Sequence, residues 1–377
     1  MEIYMKVVAA IDSFKGSMTS MEAGNAVKKG ILAAKPDAEV VVNPLADGGE
    51  GTVDALIEGL GAKKIPVTVT GPLGEKVSCY YGFLEETKSA VMEMASAAGI
   101  TLVTKKDPLR ASTYGVGEMI ADALKRGCKN FMIGIGGSAT NDGGIGMLKA
   151  LGFEFFDEDG NDVGEGAAAL AKIEVIQTEN KNPLLSGAKF QIACDVKNPL
   201  CGKQGATYIF GSQKGVTEEQ KDQIDEAMRH YADVTKESLG CDFADCEGAG
   251  AAGGLGYAFL SYLAGELIPG VELILHATGL EEKMKNADVV VTGEGRLDAQ
   301  TVMGKAPVGV AALAKKYNAK VIAFAGSVAP EASVCNQAGI DAFFPIVRGV
   351  TTLEEAMKKE NAMENIAATA EQVFRLL

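Results

Sequence analysis

Histidine, tryptophan and paired cysteines are scarce or missing in this sequence. There is no tryptophan, and only two histidines occur, His230 and His276, each in or beside an apolar pattern typical of a structural position. Because histidine is the usual base and metal ligand near neutral pH, this scarcity argues against serine–histidine catalysis and against histidine-bound metals. The seven cysteines are odd in number and include no Cys-x-x-Cys pair, which argues against a zinc site or a disulfide framework.

Basic residues and long apolar runs are also in short supply. Lys and Arg number 36 against 50 Asp and Glu, a net charge of −14, and no basic stripe suited to nucleic acid is visible. No segment approaches the ~18 apolar residues of a transmembrane helix, and Asp12 interrupts the first apolar run too early for a signal peptide. We therefore expect a cytoplasmic protein with no nucleic-acid or membrane partner. The sequence leaves the oligomeric state open.

Glycine, by contrast, is abundant. The 46 glycines are clustered, which favours functional or tightly packed loops over low complexity. A chain of 377 residues, 47% hydrophobic and 23% charged, is globular and exceeds the usual size of a single core. Two domains are the expectation.

Both ends of the chain alternate strands with helices. Apolar runs predict strands at 6–11, 40–43, 288–292, 321–325 and 343–347, and capping boxes at Thr19–Glu22 and Thr351–Glu354 predict helix starts. Five strands are the number of a flavodoxin-like doubly wound parallel sheet, and neither end would form a good domain alone. We therefore predict an α/β fold with a discontinuous flavodoxin-like domain, 1–65 plus 286–377. A simple split into two halves is the alternative.

The middle of the chain, 66–285, predicts a second, mixed α/β domain inserted into the first. Alternation around a Pro-Leu-Gly turn indicates a hairpin over 65–85, and helical spacing indicates a helix over 115–126. A strand at 190–195 and a helix capped at Thr217–Gln220 follow.

Five polar or glycine-rich loops follow predicted strands, where open α/β sheets bind ligands. They are DSFKGS (12–17), LADGGEGT (45–52), GGSATNDGG (136–144), CDVKNPLCG (194–202) and TGEGRLDAQT (292–301).

The stretch GIGGSATNDGGIGML, residues 134–148, is the densest of these loops. It predicts a helix beginning near Asn141, with backbone amides of Gly136, Gly137 and Ser138 placed to bind an anion. The alternative is an ordinary turn in which Asn141 or Asp142 caps the helix. No GxxxxGK[ST] motif occurs, and the nearest dinucleotide fingerprint, at 293–298, has Asp298 in place of its third glycine.

Charged residues recur in the same loops. Phosphoryl transfer needs cations beside the migrating charge and carboxylates that hold Mg²⁺ or take a proton. Candidate cations are Lys15, Lys197, Arg296 and Lys305, and candidate carboxylates are Asp12, Asp47, Glu50, Asp142, Asp195, Glu294 and Asp298.

The loops, taken in order, closely resemble those of the type I glycerate kinase family. The matching strings are DSFKGS, PLADGGEGT, GIGGSATNDGGIGML, ACDVKNPLCG, GAAGGLG and VVTGEGRLDAQT with GKAP, spread from Asp12 to Pro307. The resemblance implies phosphorylation of D-glycerate to 2-phosphoglycerate with ATP and Mg²⁺. It also implies an active site in the cleft between the two domains. The sequence alone does not fix which hydroxyl reacts.

On these motif positions we assign roles as hypotheses. Arg296 would bind the substrate carboxylate, Asp195 would be the general base, and Lys15 would contact the migrating phosphoryl group. The alternative for Asp195 is a turn residue before Asn198-Pro199. Further candidates are Asn198, Asp298 and Gln300 for substrate, Gly136, Gly137, Ser138, Asn141, Asp142 and Lys305 for nucleotide phosphates, and Asp47 and Glu50, or alternatively Asp298, for metal.

Two other classes of function remain as alternatives. A non-catalytic sensor of small anions or nucleotides could use the same glycine loops, although carboxylates beside the cations would weaken simple anion binding. A nicotinamide-dependent oxidoreductase is disfavoured by Asp298 in the dinucleotide fingerprint.

Overall fold

The computed structural model describes residues 4–46 and 52–377, which form two compact units. Residues 4–46, 54–61 and 271–377 form the first unit, and residues 52–53 and 62–270 form the second. No helix in these two ranges is long and apolar enough to cross a membrane.

The strands, in chain order, are β1 (Lys6–Ile11), β2 (Glu39–Pro44), β3 (Lys63–Thr70), β4 (Lys76–Leu84), β5 (Ser89–Glu93), β6 (Asn130–Gly134), β7 (Glu154–Phe156), β8 (Val175–Gln177), β9 (Lys189–Ala193), β10 (Glu266–Ile268), β11 (Val289–Leu297), β12 (Lys320–Val328) and β13 (Ala342–Pro345).

The α-helices are α1 (Ser20–Ala34), α2 (Thr52–Leu60), α3 (Ala95–Ala98), α4 (Tyr114–Lys125), α5 (Ile145–Ala150), α6 (Ala167–Leu170), α7 (Ala206–Phe210), α8 (Glu218–Leu239), α9 (Leu255–Leu263), α10 (Gly270–Ala277), α11 (Leu280–Met284), α12 (Ala306–Lys315), α13 (Val334–Gln337), α14 (Leu353–Met357) and α15 (Lys359–Phe374).

The first unit contains a five-stranded parallel sheet in the order β13-β12-β11-β1-β2. Numbered along the chain, this is the order 2-1-3-4-5 found in flavodoxin-like doubly wound sheets. The strand order reverses between β1 and β11, so a crevice is expected at their carboxyl ends. The predicted α/β class is confirmed by this sheet and its helices.

Helices α1 and α15 pack on one face of this sheet. The predicted capping box starts α1: Thr19 Oγ1 accepts from the Glu22 amide at 3.2 Å, and the Glu22 carboxylate accepts from the Thr19 amide at 2.9 Å. A Cβ on Gly30 would lie 2.0 Å from the Ala367 carbonyl oxygen, so glycine permits the close approach of the two helices.

The second unit is built on a six-stranded mixed sheet in the order β10-β9-β6-β5-β4-β3. The predicted hairpin is confirmed as the antiparallel pair β3–β4, while β5, β6, β9 and β10 run parallel to one another. Large fully buried aromatic side chains fill its core, among them Phe131, Phe155, Tyr231, Tyr257 and Phe259.

Two predicted helix starts are wrong in position. The helix expected near Asn141 begins at Ile145, because Gly143 and Gly144 both have positive φ and hold the chain outside the helix. The cap expected at Thr351 is Thr352, whose hydroxyl accepts from the Glu355 amide at 3.2 Å.

Candidate active site

The first unit contains a cavity of about 540 Å³ at the carboxyl ends of its strands. Its wall includes the segment after β1, the end of β11, the end of β12 and the segment after β13. It therefore includes the point between β1 and β11 where the strand order reverses. This is the position at which open α/β sheets bind ligands.

Three predicted cations, Lys15, Arg296 and Lys305, line this one cavity. The Lys305 ammonium lies 3.3 Å from Glu294 Oε2 and 3.9 Å from Asp298 Oδ1, and Arg296 Nε lies 3.6 Å from Asp298 Oδ2. The Arg296 side chain is 68% exposed, so much of its guanidinium faces solvent. A planar guanidinium of this kind can bind a carboxylate or phosphate through two hydrogen bonds.

Glu294 is the buried carboxylate of this group. Its Oε1 accepts the Thr301 hydroxyl at 2.7 Å. Burial raises the pKa of Glu294, and the hydrogen bond from Thr301 and the charge of Lys305 act in the opposite direction. Lys305 is thus held at the cavity wall by a fixed carboxylate. We refer to Lys15, Glu294, Arg296, Asp298 and Lys305 as the charged cluster.

Two glycines beside the charged cluster contribute main chain, without a side chain, to the cavity wall. Gly295 and Gly326, on neighbouring strands, both line the cavity. A Cβ on Gly326 would lie 2.6 Å from the Gly295 carbonyl oxygen, so the two strands leave no space for a side chain there. At these two positions the cavity wall is therefore formed by main chain.

The loop after β6, in the second unit, is divided into two parts. Gly136 and Gly137 are exposed, and no acceptor in the described residues receives a hydrogen bond from the amides of Gly136, Gly137 or Ser138. These three consecutive donors are suited to an anion.

The second part of the loop is buried around Asp142. This carboxylate accepts from the Thr113 amide and hydroxyl, both at 2.8 Å, and from the amides of Gly144 at 3.1 Å and Gly146 at 3.3 Å. The geometry favours the helix-capping alternative for Asp142, because its own carboxylate occupies the amides at the start of α5. Burial raises its pKa, and the hydrogen bonds from Thr113 and Gly144 oppose that rise.

Lys214 is a residue that the sequence did not single out. The residue is 2% exposed, and its side-chain nitrogen donates to the Thr140 carbonyl oxygen at 2.7 Å. Burial lowers the pKa of Lys214 to about 7, and the charge of Asp142 partly opposes this. Asn141, also buried, donates from Nδ2 to Thr207 Oγ1 at 3.0 Å. We refer to Thr113, Asn141, Asp142, Thr207 and Lys214 as the buried network.

Asp195 and Asn198 follow β9 in the second unit. Asp195 is exposed, and its Oδ1 accepts the Gly270 amide at 2.9 Å. The Asn198 side chain donates to the Gln204 carbonyl oxygen at 2.8 Å. Gln300 is an exposed residue of the first unit, and its backbone amide donates to Asp298 Oδ1 at 2.9 Å.

The metal candidates Asp47 and Glu50 lie outside the described residues. Within 4–46 and 52–377, no group of three or more His, Cys, Asp or Glu side chains is arranged to hold a metal ion. The carboxylates described at or beside the cavity are those of Asp12, Glu294 and Asp298.

The cavity also includes a region that the sequence analysis missed. The segment after β13, from Ile346 to Met357, contributes to its wall. It also follows a predicted strand, but it contains a single glycine, Gly349, and lacks the glycine clustering of the other loops. Strand-end position alone could have identified it.

Comparison with known proteins identifies the family. The model of the glycerate kinase family matches residues 7–377. This chain belongs to the glycerate kinase family. It is 45% identical over 371 residues to a glycerate kinase of Bacillus subtilis (strain 168), covering 98% of this chain and 97% of that protein. It is 45% identical over 372 residues to a glycerate 2-kinase of Escherichia coli (strain K12), covering 97% of this chain and 98% of that protein.

A solved structure agrees with this assignment. The crystal structure of a Salmonella typhimurium LT2 protein assigned as glycerate kinase 2 superposes with a TM-score of 0.91 at 43% identity, covering 98% of this chain and 97% of that one. The family and the α/β fold suggested by the six loop strings are thereby confirmed.

Proposed function

We propose that this chain transfers a phosphoryl group from ATP to a hydroxyl of D-glycerate, giving 2-phosphoglycerate and ADP. The observation that carries the proposal is the charged cluster, in a chain of the glycerate kinase family, at the strand-order reversal of a parallel sheet. Such a position, lined by lysine and arginine, suits a substrate and a donor that both carry negative charge.

Arg296 is the proposed partner of the glycerate carboxylate. Its guanidinium is largely exposed and is oriented by Asp298, 3.6 Å from Nε. Lys15 and Lys305 would lie along the phosphates and stabilise charge that develops during transfer. Gln300, beside Asp298, is a further proposed substrate contact.

The backbone amides of Gly136, Gly137 and Ser138 remain proposed donors to nucleotide phosphates. Their support is that three consecutive N–H groups have no acceptor within the described residues. Asn141, Asp142 and Asn198 are weaker proposals for ligand contact, since each has a hydrogen-bond partner inside the protein.

Magnesium is the proposed metal, bound with the nucleotide. Mg²⁺ in such sites keeps several waters and needs only one or two carboxylates besides phosphate oxygens. Asp12 lines the cavity and offers one such carboxylate, and Asp47 and Glu50, which lie outside the described residues, remain proposed ligands. When bound, the ion would neutralise phosphate charge.

Asp195 is the proposed general base. Asp195 is exposed, and its Oδ1 accepts the Gly270 amide at 2.9 Å, which orients the carboxylate. An exposed, oriented carboxylate can accept the proton of a substrate hydroxyl. Asp195→Asn should lower kcat by roughly 10²–10⁴-fold while nucleotide affinity stays close to wild type. Near-normal turnover would exclude Asp195 as the base, and Asp195→Glu serves as the variant that retains a carboxylate.

The function is tested by mixing the purified protein with MgATP and D-glycerate and measuring ADP release. Glycerate-dependent ADP is expected, and ³¹P and ¹H NMR of the product should place the phosphate on the second carbon. Absence of glycerate-dependent ADP would refute the kinase proposal. A phosphate on the third carbon would refute the regiochemistry alone.

A further inference from the structure

The cavity of the first unit is lined by several apolar side chains that the charged cluster does not explain. We define the apolar lobe as Ile346, Val347, Leu353, Ala356 and Met357, all of which line the cavity. Leu353 is 75% exposed and Met357 38% exposed, an unusual display of large apolar side chains on one short helix, α14. Exposed apolar surface that continues a charged cavity indicates a ligand with both characters.

The size of the cavity points beyond glycerate. A volume of about 540 Å³ falls within the roughly 300–1,000 Å³ typical of sites for drug-sized ligands. D-glycerate is a three-carbon acid, entirely polar, and has no group that would gain from contact with Leu353 or Met357. A second ligand must therefore account for the apolar lobe.

The polar groups around the apolar lobe suit the edge of a nucleobase. Thr351 and Asn365 line the same cavity as the apolar lobe. An asparagine amide offers both a donor and an acceptor, and none of the described residues hydrogen-bonds to the Asn365 side-chain amide. A planar base gains from apolar contact on its faces and from such donor–acceptor pairs at its edge.

The apolar lobe adjoins the loop that carries Lys15. A Cβ on Gly16, whose φ is +78°, would lie 3.1 Å from Met357 Cε, so α14 packs against the segment after β1. A ligand in contact with Met357 therefore lies beside the segment that carries Lys15, which also lines the cavity.

We propose that the apolar lobe binds the base and ribose of the purine nucleotide, with the phosphates extending from there towards Lys15 and Lys305. This deepens the proposed kinase function and rests on it for the use of ATP. The lobe thereby gives the nucleotide part of its affinity through contacts that the phosphates alone cannot make.

The test compares binding of MgADP with binding of magnesium tripolyphosphate by isothermal titration calorimetry. Ala356→Trp fills the lobe, and Leu353→Ser removes its most exposed apolar side chain. Both should weaken MgADP binding by tenfold or more and leave tripolyphosphate binding within about twofold. Leu376→Ser is the matched control, since Leu376 is 85% exposed and does not line the cavity.

Steady-state kinetics provide the second measurement. Both lobe variants should raise the KM for ATP by tenfold or more, with the KM for D-glycerate within about twofold of wild type. Unchanged MgADP binding in both variants, or a rise confined to the glycerate KM, would overturn the proposal. Failure of the kinase function would appear instead as absent glycerate-dependent ADP release by the wild type, which the calorimetry does not require.

Discussion

The charged cluster of the first unit and the buried network of the second each contain polar residues from the predicted loops 292–301 and 136–144, and they use those residues differently. In the charged cluster, carboxylates hold cations at a cavity wall: Glu294 holds Lys305, and Asp298 lies beside Arg296. In the buried network, Asp142 accepts from backbone amides and from Thr113, and Lys214 donates to a carbonyl oxygen, all without exposure.

The difference shows what distinguishes a ligand-binding site from a structural hydrogen-bond network. Arg296 lies beside a carboxylate and still has exposed donors, whereas Asp142 uses its oxygens within the protein. The same loop type can thus present charge to a ligand or hold a loop in place. Stability measurements should respond to the buried network, and kinetic measurements to the charged cluster.

The largest expected effect is that of Asp142→Ala on stability. The substitution removes one buried acceptor from three amides and a hydroxyl, and the desolvation cost of those donors remains. We expect a loss of about 3–5 kcal/mol in the free energy of unfolding. Urea denaturation followed by circular dichroism measures it.

The control for this substitution is Asp242→Ala, which removes an exposed carboxylate paired with Lys236 in the same unit. It should leave the denaturation midpoint close to wild type. If Asp142→Ala unfolded at the same midpoint as the control, Asp142 would have no supporting role. Asp142 would then return as a candidate for ligand contact.

Arg296→Lys should act on kinetics and leave stability nearly unchanged. Lysine keeps the positive charge but cannot form two parallel hydrogen bonds to a carboxylate. We expect the KM for D-glycerate to rise roughly 10–100-fold, with the denaturation midpoint near wild type because the side chain is largely exposed. An unchanged KM would assign the glycerate carboxylate to another cation.

The sequence correctly predicted the elements that are specified by neighbouring residues. The apolar run 6–11 is β1, and the box Thr19–Glu22 starts α1, because both signals lie within a few residues of the element that they specify. The N-cap of α14 lies one residue later than predicted, because the pairs Thr351–Glu354 and Thr352–Glu355 have the same spacing. Only packing distinguishes them.

The hydrogen-bond partners that determine the role of a polar residue often lie far from it in the sequence. Asp142 bonds to Thr113, 29 residues away, and Lys214 bonds to Thr140, 74 residues away. No local pattern marks those partners, so the sequence could not separate a capping aspartate from a ligand-binding one. The charged cluster was easier to predict, since Glu294, Arg296, Asp298 and Lys305 lie within one short segment.

Lys214 offers the most sensitive test of the buried network, through the pH dependence of stability. Its pKa is lowered to about 7 in the folded protein, from an ordinary value of 10.5. Between these values the unfolded chain binds a proton that the folded protein lacks, so this lysine's contribution to stability rises with pH. Below about pH 7 both states are protonated and the contribution is constant.

Lys214→Met removes this titration while retaining a side chain of similar length. Between pH 7 and pH 8 the wild type should therefore gain about 1 kcal/mol of stability relative to the variant, measured by urea denaturation at both pH values. Lys203→Met, at an exposed lysine, should show no such change relative to wild type. A wild-type advantage that was identical at the two pH values would mean that Lys214 stays charged throughout, and the buried network would then contain an ion pair rather than a neutral amine.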